Sequence, residues 1–203
     1  MDNLYKYFGQ FIPLSEEALK LLAGTTEIIT AHKGEIMIQQ GQVNYYTYLI
    51  AKGLARGYRV NLNDEVTDTL WSEGQIFNDV TTYIANMPAT KSYQMLEESV
   101  LYRIDNQKLR ALYTTNFEIC NLGRIIMEEY VVRVEAARKR YHDLDASQRY
   151  EQFLTDKPGL ILRVKQKYIA SFIGISPETF NRIHSSRTKK GKNKHDLPPL
   201  KEI

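Results

Sequence analysis

Glu178 and Arg182 stand four residues apart and carry the side chains best suited to reading base edges. A guanidinium donates two hydrogen bonds to guanine, and a carboxylate accepts from the amino group of cytosine. At this spacing both share one face of a helix. Ser176 and Thr179 beside them offer hydroxyls for phosphate oxygens, contacts that fix register without reading sequence. Such chemistry needs a short helix with its N-terminal half in a major groove, braced by a second helix. The neighbouring residues supply both. Ser176 is an N-cap, Pro177 suits the first helical position, and Glu178 favours the positive helix start. Phe180 and Ile183 make the inner side; Thr179, Asn181, Arg182 and Ser186 remain outside. Upstream, Tyr168, Ile169, Phe172 and Ile173 recur at helical spacing, and Gly174 allows the turn between the helices. Periodicity alone fits an ordinary pair of core helices equally well.

The segment Gln166 to Ser186 resembles the helix-turn-helix of the cyclic-AMP receptor protein/FNR (Crp/Fnr) family of bacterial transcription regulators. The match is carried by Gly174-Ile175-Ser176-Pro177-Glu178-Thr179, with Arg182 four after Glu178. The resemblance implies that Glu178 and Arg182 contact bases of double-stranded DNA and that Gln166, Ser176 and Thr179 contact its backbone. Many members carry a base-reading arginine just before the glutamate. Pro177 stands there in this chain, which leaves the operator sequence open.

Length and composition agree with a globular protein of one large or two modest domains: 203 residues, 43% hydrophobic and 25% charged. The net charge of +3 is small, but the basic residues gather toward the C-terminus, as in a sensor joined to a DNA reader. A single cysteine, Cys120, excludes an internal disulfide framework and a cysteine-ligated iron–sulfur cluster; it reads as a small buried apolar residue. His32, His142, His184 and His195 show no metal-ligand spacing, so no metal or other cofactor is expected. No stretch is apolar enough to span a bilayer, and a soluble cytoplasmic protein is expected.

Residues 1–23 read as helical, with Ser15, Glu16 and Glu17 forming a cap and first turn. Seven short β runs follow, from about Glu27 to Ile104, separated mostly by Gly or Asn turns. By pattern they make a barrel or sandwich. Their turns at Gly34, Gly41, Gly53 and Gly74, and the fragment Tyr48-Leu49-Ile50-Ala51-Lys52-Gly53, resemble the family's cyclic-nucleotide-binding β-roll. The implied fold is α+β: a β-roll (jelly-roll) over residues 1–115, a dimerisation helix and hinge over 116–144, and a winged helix-turn-helix domain with a basic tail over 145–203.

Family members that bind cyclic AMP hold its phosphate with an Arg beside Ser or Thr, backbone N–H groups at a helix start, and a Glu on the ribose. The matching positions here are Asn78, Asp79 and, later, Ala89 and Thr90. Asn78 replaces a Gly, Asp79 shortens the Glu, and Ala89 stands where the Arg would be. A buried phosphate would be poorly compensated. Cyclic AMP in the family's manner is therefore not expected. Asn78, Asp79 and Thr90 remain candidates to line a pocket for another small-molecule effector; Tyr83, Met87 and Tyr93 could equally fill the space themselves.

Asp105 or Asn106 caps a short helix. From about Phe117 to Tyr141 a long helix follows, with Ile119, Leu122, Ile126, Tyr130, Val134, Ala137 and Tyr141 in one row and Ile125 and Val132 in a second. One side can pack on the β-roll. The other fits the same helix of a second subunit, a homodimer that would set two recognition helices about 34 Å apart. Lys189 to Lys194 reads as a solvated tail with phosphate contact possible in principle. RNA polymerase is a further partner for such a regulator. The competing function is a cupin-like small-molecule-binding barrel whose C-terminal helices serve assembly. It would need inward histidines on the strands, and His32 is the one histidine of the β region. No Ser/His/Asp set or P-loop is present, so an enzyme is not expected.

Overall fold

The computed structural model describes residues 2–61, 64–142 and 144–192, with side chains for all of these except 2–3, 136–142 and 188–192. The chain divides into two compact units, Met1–Lys139 and Arg140–Ile203.

The first unit begins with two helices where one was expected: α1 (Asp2–Gly9) and α2 (Glu16–Gly24). The break contains Pro13, which has no N–H to continue a helix. Ser15 restarts it, its Oγ accepting from Ala18 N at 3.2 Å. Eight strands follow: β1 (Thr26–Ala31), β2 (Ile36–Ile38), β3 (Tyr46–Lys52), β4 (Ala55–Asn61), β5 (Asp64–Trp71), β6 (Ile76–Phe77), β7 (Ser92–Met95) and β8 (Ser99–Asp105), with α3 (Val80–Ala85) between β6 and β7. Seven of them lie where the β runs were read. The two-residue β6 is too short to show a period.

The strands form two antiparallel sheets, ordered β1-β8-β3-β6 and β2-β7-β4-β5. Period-2 alternation sorts the side chains. Tyr48 and Ile50 of β3 point between the sheets, into a core with Ile38, Ala55, Phe77, Tyr93, Met95 and Leu101. Leu49, between them in sequence, joins Tyr102 and Ile104 on the outer face, under Leu4, Phe8, Ala18 and Leu22 of the first two helices. Gly53 holds φ +119, and a Cβ there would overlap the Ser99 side chain.

Asp105 caps α4 (Asn106–Thr115), accepting from Gln107 N and Lys108 N. The long helix α5 (Phe117–His142) then buries Ile119 and Leu122 against the outer sheet face, with Ile126 partly covered. Tyr130, Val131, Val132 and Val134 remain exposed on the described chain; the side chains of Ala137 and Tyr141 lie outside the described residues. Cys120 is exposed, contrary to the expectation of a buried residue: it lies one position past buried Ile119, where α5 has turned away from the sheet.

The second unit comprises the end of α5, α6 (Ala146–Asp156), α7 (Leu160–Arg163), α8 (Gln166–Phe172) and α9 (Pro177–Lys192). Asp145 and Gln148 form a reciprocal capping box at the start of α6. Tyr150, Phe153, Leu160, Val164, Ile169, Ala170, Ile173 and Phe180 are its buried core. Leu162 is exposed because Leu160–Arg163 forms a single helical turn and only one side faces inward. α9 continues to Lys192, so residues 189–192 of the expected tail are helical. Residues 193–203, including Asn193 and Lys194 of that tail and any wing following α9, lie outside the described residues.

Candidate nucleic-acid interface and effector pocket

The turn between α8 and α9 is closed by local hydrogen bonds. Gly174 N donates to Ser171 O at 3.1 Å and Ile175 N to Ala170 O at 3.0 Å, the paired bonds of a Schellman stop. Gly174 has φ +69, a conformation that side-chain-bearing residues rarely adopt. Ser176 then starts α9, its Oγ accepting from Thr179 N at 3.2 Å. Sequence reasoning missed a clamp from α6. The Arg149 guanidinium reaches Ile173 O and Gly174 O at 3.5 and 3.4 Å, and its Nε donates to Leu144 O at 3.0 Å. No local pattern signals it, because Arg149 lies 25 residues before the turn.

α6 also fixes the roll of α9 about its axis. Tyr150 bonds His184 Nδ1 at 2.7 Å, its ring meets Phe180 edge-on at 5.5 Å, and Glu151 pairs with Arg187 at 2.9 Å. With Phe180 buried beneath, Glu178 and Arg182 face solvent on the opposite side. Gln166 is exposed at the start of α8. Thr179 is half-buried, and the Ser176 hydroxyl donates to its Oγ1 at 3.2 Å. The Ser176 hydroxyl also holds the Glu178 carboxyl below the usual carboxylate range, so Glu178 is an acceptor at neutral pH. Glu178, Arg182, Gln166 and Ser176 are thus presented outward, and Thr179 partly so.

The three effector candidates separate. Asp79 is buried and caps α3, accepting from Thr82 N at 3.1 Å, Thr90 N at 3.1 Å, Thr90 Oγ1 at 3.2 Å and Tyr93 OH at 3.4 Å. Thr90 therefore joins Asp79, as its donor. Asn78 turns the other way and donates to Thr47 Oγ1 at 3.1 Å, on the helix side of the β3 sheet. Ala89 is packed in the inter-sheet core. Among the expected filling residues, Tyr93 stacks with Phe77 at 5.8 Å and Trp71 at 5.3 Å inside the roll, Tyr83 lines a cavity on the helix side, and Met87 is exposed. Lys91 pairs with Asp68 at 3.1 Å. Burial and then the Asp79 and Asp68 charges push the phenols of Tyr93 and Tyr130 up.

Another basic group in the roll escaped sequence reasoning. Arg56 is buried, with Nε and Nη2 on Gln94 Oε1 at 3.0 and 2.8 Å, Nη2 on Glu65 at 2.6 Å and Nη1 on Thr67 at 3.3 Å. It pins β4 between β5 and β7. His32 lies on the surface, 3.0 Å from Glu98, and no group of three metal-ligating residues occurs among the described residues. Nor is any described helix long and apolar enough to cross a membrane.

Residues 28–116 match the cyclic nucleotide-binding domain family. No curated protein sequence matches the chain. Among solved structures, FixK2 from Bradyrhizobium japonicum is similar at TM-score 0.70 and 14% identity, over 82% of this chain and 86% of that one. The c-di-GMP responsive global regulator CLP of Xanthomonas campestris gives TM-score 0.68 and 14% identity, over 87% and 93%. The Thermus thermophilus catabolite activator protein gives 0.53 and 19%, over 89% and 87%. At 14–19% identity these likenesses show a shared fold. Residues 28–116 thus match the cyclic nucleotide-binding domain family, within a fold shared with FixK2, CLP and the catabolite activator protein.

Proposed function

We propose that this chain is a transcription regulator that binds double-stranded DNA as a homodimer. α8 and α9 act as its helix-turn-helix, within what the family resemblance makes a winged domain. The observation that carries the reading is the start of α9: Glu178 and Arg182 are exposed together on a helix whose opposite side is anchored by buried Phe180. Arg182 reads guanine and Glu178 cytosine, while Gln166, Ser176 and Thr179 meet the phosphate backbone. The exposed Tyr130, Val131 and Val134 lie within about 100° of one another on α5 and supply an apolar side for the partner helix. RNA polymerase is the partner through which promoter output would change.

The effector is not cyclic AMP. Ala89 offers no charge to a phosphate, Asp79 already accepts from four donors, and stacked rings occupy the space between the sheets. The test of DNA reading is selection from a random-sequence duplex pool at near-physiological salt. A two-fold symmetric motif with half-sites about one helical turn apart is expected. General, salt-sensitive binding with no enriched motif would overturn sequence-specific reading.

A further inference from the structure

The described residues line a partly open cavity of about 70 Å³ outside the β-roll, between the outer face of the β1-β8-β3-β6 sheet and helices α1 to α5. Phe8, Leu22, Ile104, Leu109, Leu122 and Ile126 give it apolar walls, and no charged residue lines it. We propose that this cavity binds a small neutral molecule, mostly hydrocarbon with a single hydrogen-bonding group. An ion would be stripped of water there with no compensating charge. By the space a single water needs, the cavity has room for about five non-hydrogen atoms.

The polar part of the lining is concentrated in two places. Tyr83 and Tyr113 share a hydrogen bond at 3.1 Å, which uses one of their two hydroxyl protons and leaves the other to donate. Burial pushes the Tyr113 phenol up, so that proton is retained at neutral pH. Asn78 also lines the cavity and is held by Thr47 at 3.1 Å, and Thr47 by Asn106 at 2.8 Å, so the amide is fixed rather than swinging. A hydroxyl or carbonyl oxygen on an otherwise apolar guest would find a phenol donor and an amide in the lining.

Gly123 on α5 points to the same use. It sits within a 26-residue helix, where glycine is unfavourable relative to alanine. A Cβ there would stand 2.8 Å from the Tyr113 hydroxyl. The glycine is what admits the phenol ring to the cavity wall. Because packed interiors hold few voids larger than a water, a void kept beside a helix-weakening residue is unusual. A guest would touch both the sheet and α5, the helix assigned above to dimerisation. The regulatory consequence rests on that assignment; the binding site does not.

The test is titration of the full-length chain, without DNA, by isobutanol and by tert-butanol, read by calorimetry and ligand-observed NMR, with isobutyrate as the charged match of isobutanol. Saturable one-to-one binding of the neutral probes is expected, with dissociation constants on the order of micromolar or weaker for so few atoms. Isobutyrate should bind at least tenfold more weakly at neutral pH. Ile126→Phe fills the cavity and should abolish binding; Tyr83→Phe combined with Tyr113→Phe keeps the shape, removes both hydroxyl protons and should weaken the hydroxylated probes about three- to tenfold. Equal binding of isobutyrate, or binding undiminished in both variants, overturns the proposal. A failed operator selection would count against DNA reading alone, and absent isobutanol binding against the cavity alone.

Discussion

At the start of α9, Ser176 caps the helix, Phe180 anchors it from below, and Glu178 and Arg182 are left facing solvent. At the start of α3, Asp79 caps the helix but is itself buried, and Thr82, Thr90 and Tyr93 converge on its carboxylate. Both are short polar segments opening a helix, and both align with functional positions of one family. They differ in whether the fold leaves the polar atoms over. Where a separate serine and an aromatic hold the helix, the charged groups stay available for a partner. Where the charged group is itself the cap, its hydrogen-bonding capacity goes into the fold. A functional residue carried over by alignment keeps its role only if nothing inside the protein has claimed it.

Substitutions can break this contrast. The largest effect is expected from Phe180→Ala, about 3–5 kcal/mol of stability for the second unit, measured by urea unfolding. A loss under about 1 kcal/mol would mean that Phe180 does not anchor α9. Asp79→Ala should cost about 3 kcal/mol, because it strands buried donors from Thr82, Thr90 and Tyr93. A near-neutral Asp79→Ala, especially with a gain in ligand binding, would return Asp79 to the list of ligand-facing groups.

The aromatic filling of the roll makes a pH prediction. Burial pushes the Tyr48 phenol up to about 12, while in the unfolded chain it ionises near 10. The neutral form is what the fold accommodates. This contribution is complete below pH 10 and is lost as pH rises from 10 through 12, by about 3 kcal/mol over those two pH units. Tyr48→Phe should flatten the fall in unfolding free energy across that window. An unchanged pH profile would show that Tyr48 is not a buried neutral phenol. Arg182→Ala sharpens the other side of the comparison. It should weaken binding to a selected operator by about 2 kcal/mol while moving thermal stability little. Unaltered operator affinity would remove Arg182 as a base reader.

Much of the fold was legible because its signals are local. The stop at Gly174, the caps at Ser15, Ser176 and Asp105, and seven of the eight described strands all follow from residues within a few positions of one another. The misreadings are equally instructive. Residues 1–23 became two helices because Pro13 outweighed the apolar spacing, and Cys120 lies exposed because one helical step carries it off the sheet. Composition predicts a cysteine's average burial, whereas its angle on α5 depends on how that helix is docked.

The sequence alone was enough to place the turn between α8 and α9, the face carrying Glu178 and Arg182, and the absence of an arginine at Ala89. Hydrogen bonds and periodicities spanning five residues or fewer determine these features. Only the tertiary structure decided that Arg149 clamps the turn, that Asp79 is consumed as a cap for partners up to 14 residues away, and that Asn78 faces the helix-side cavity. Those outcomes depend on which side chains the two sheets and their covering helices bring together. Such distant contacts leave no period in the chain.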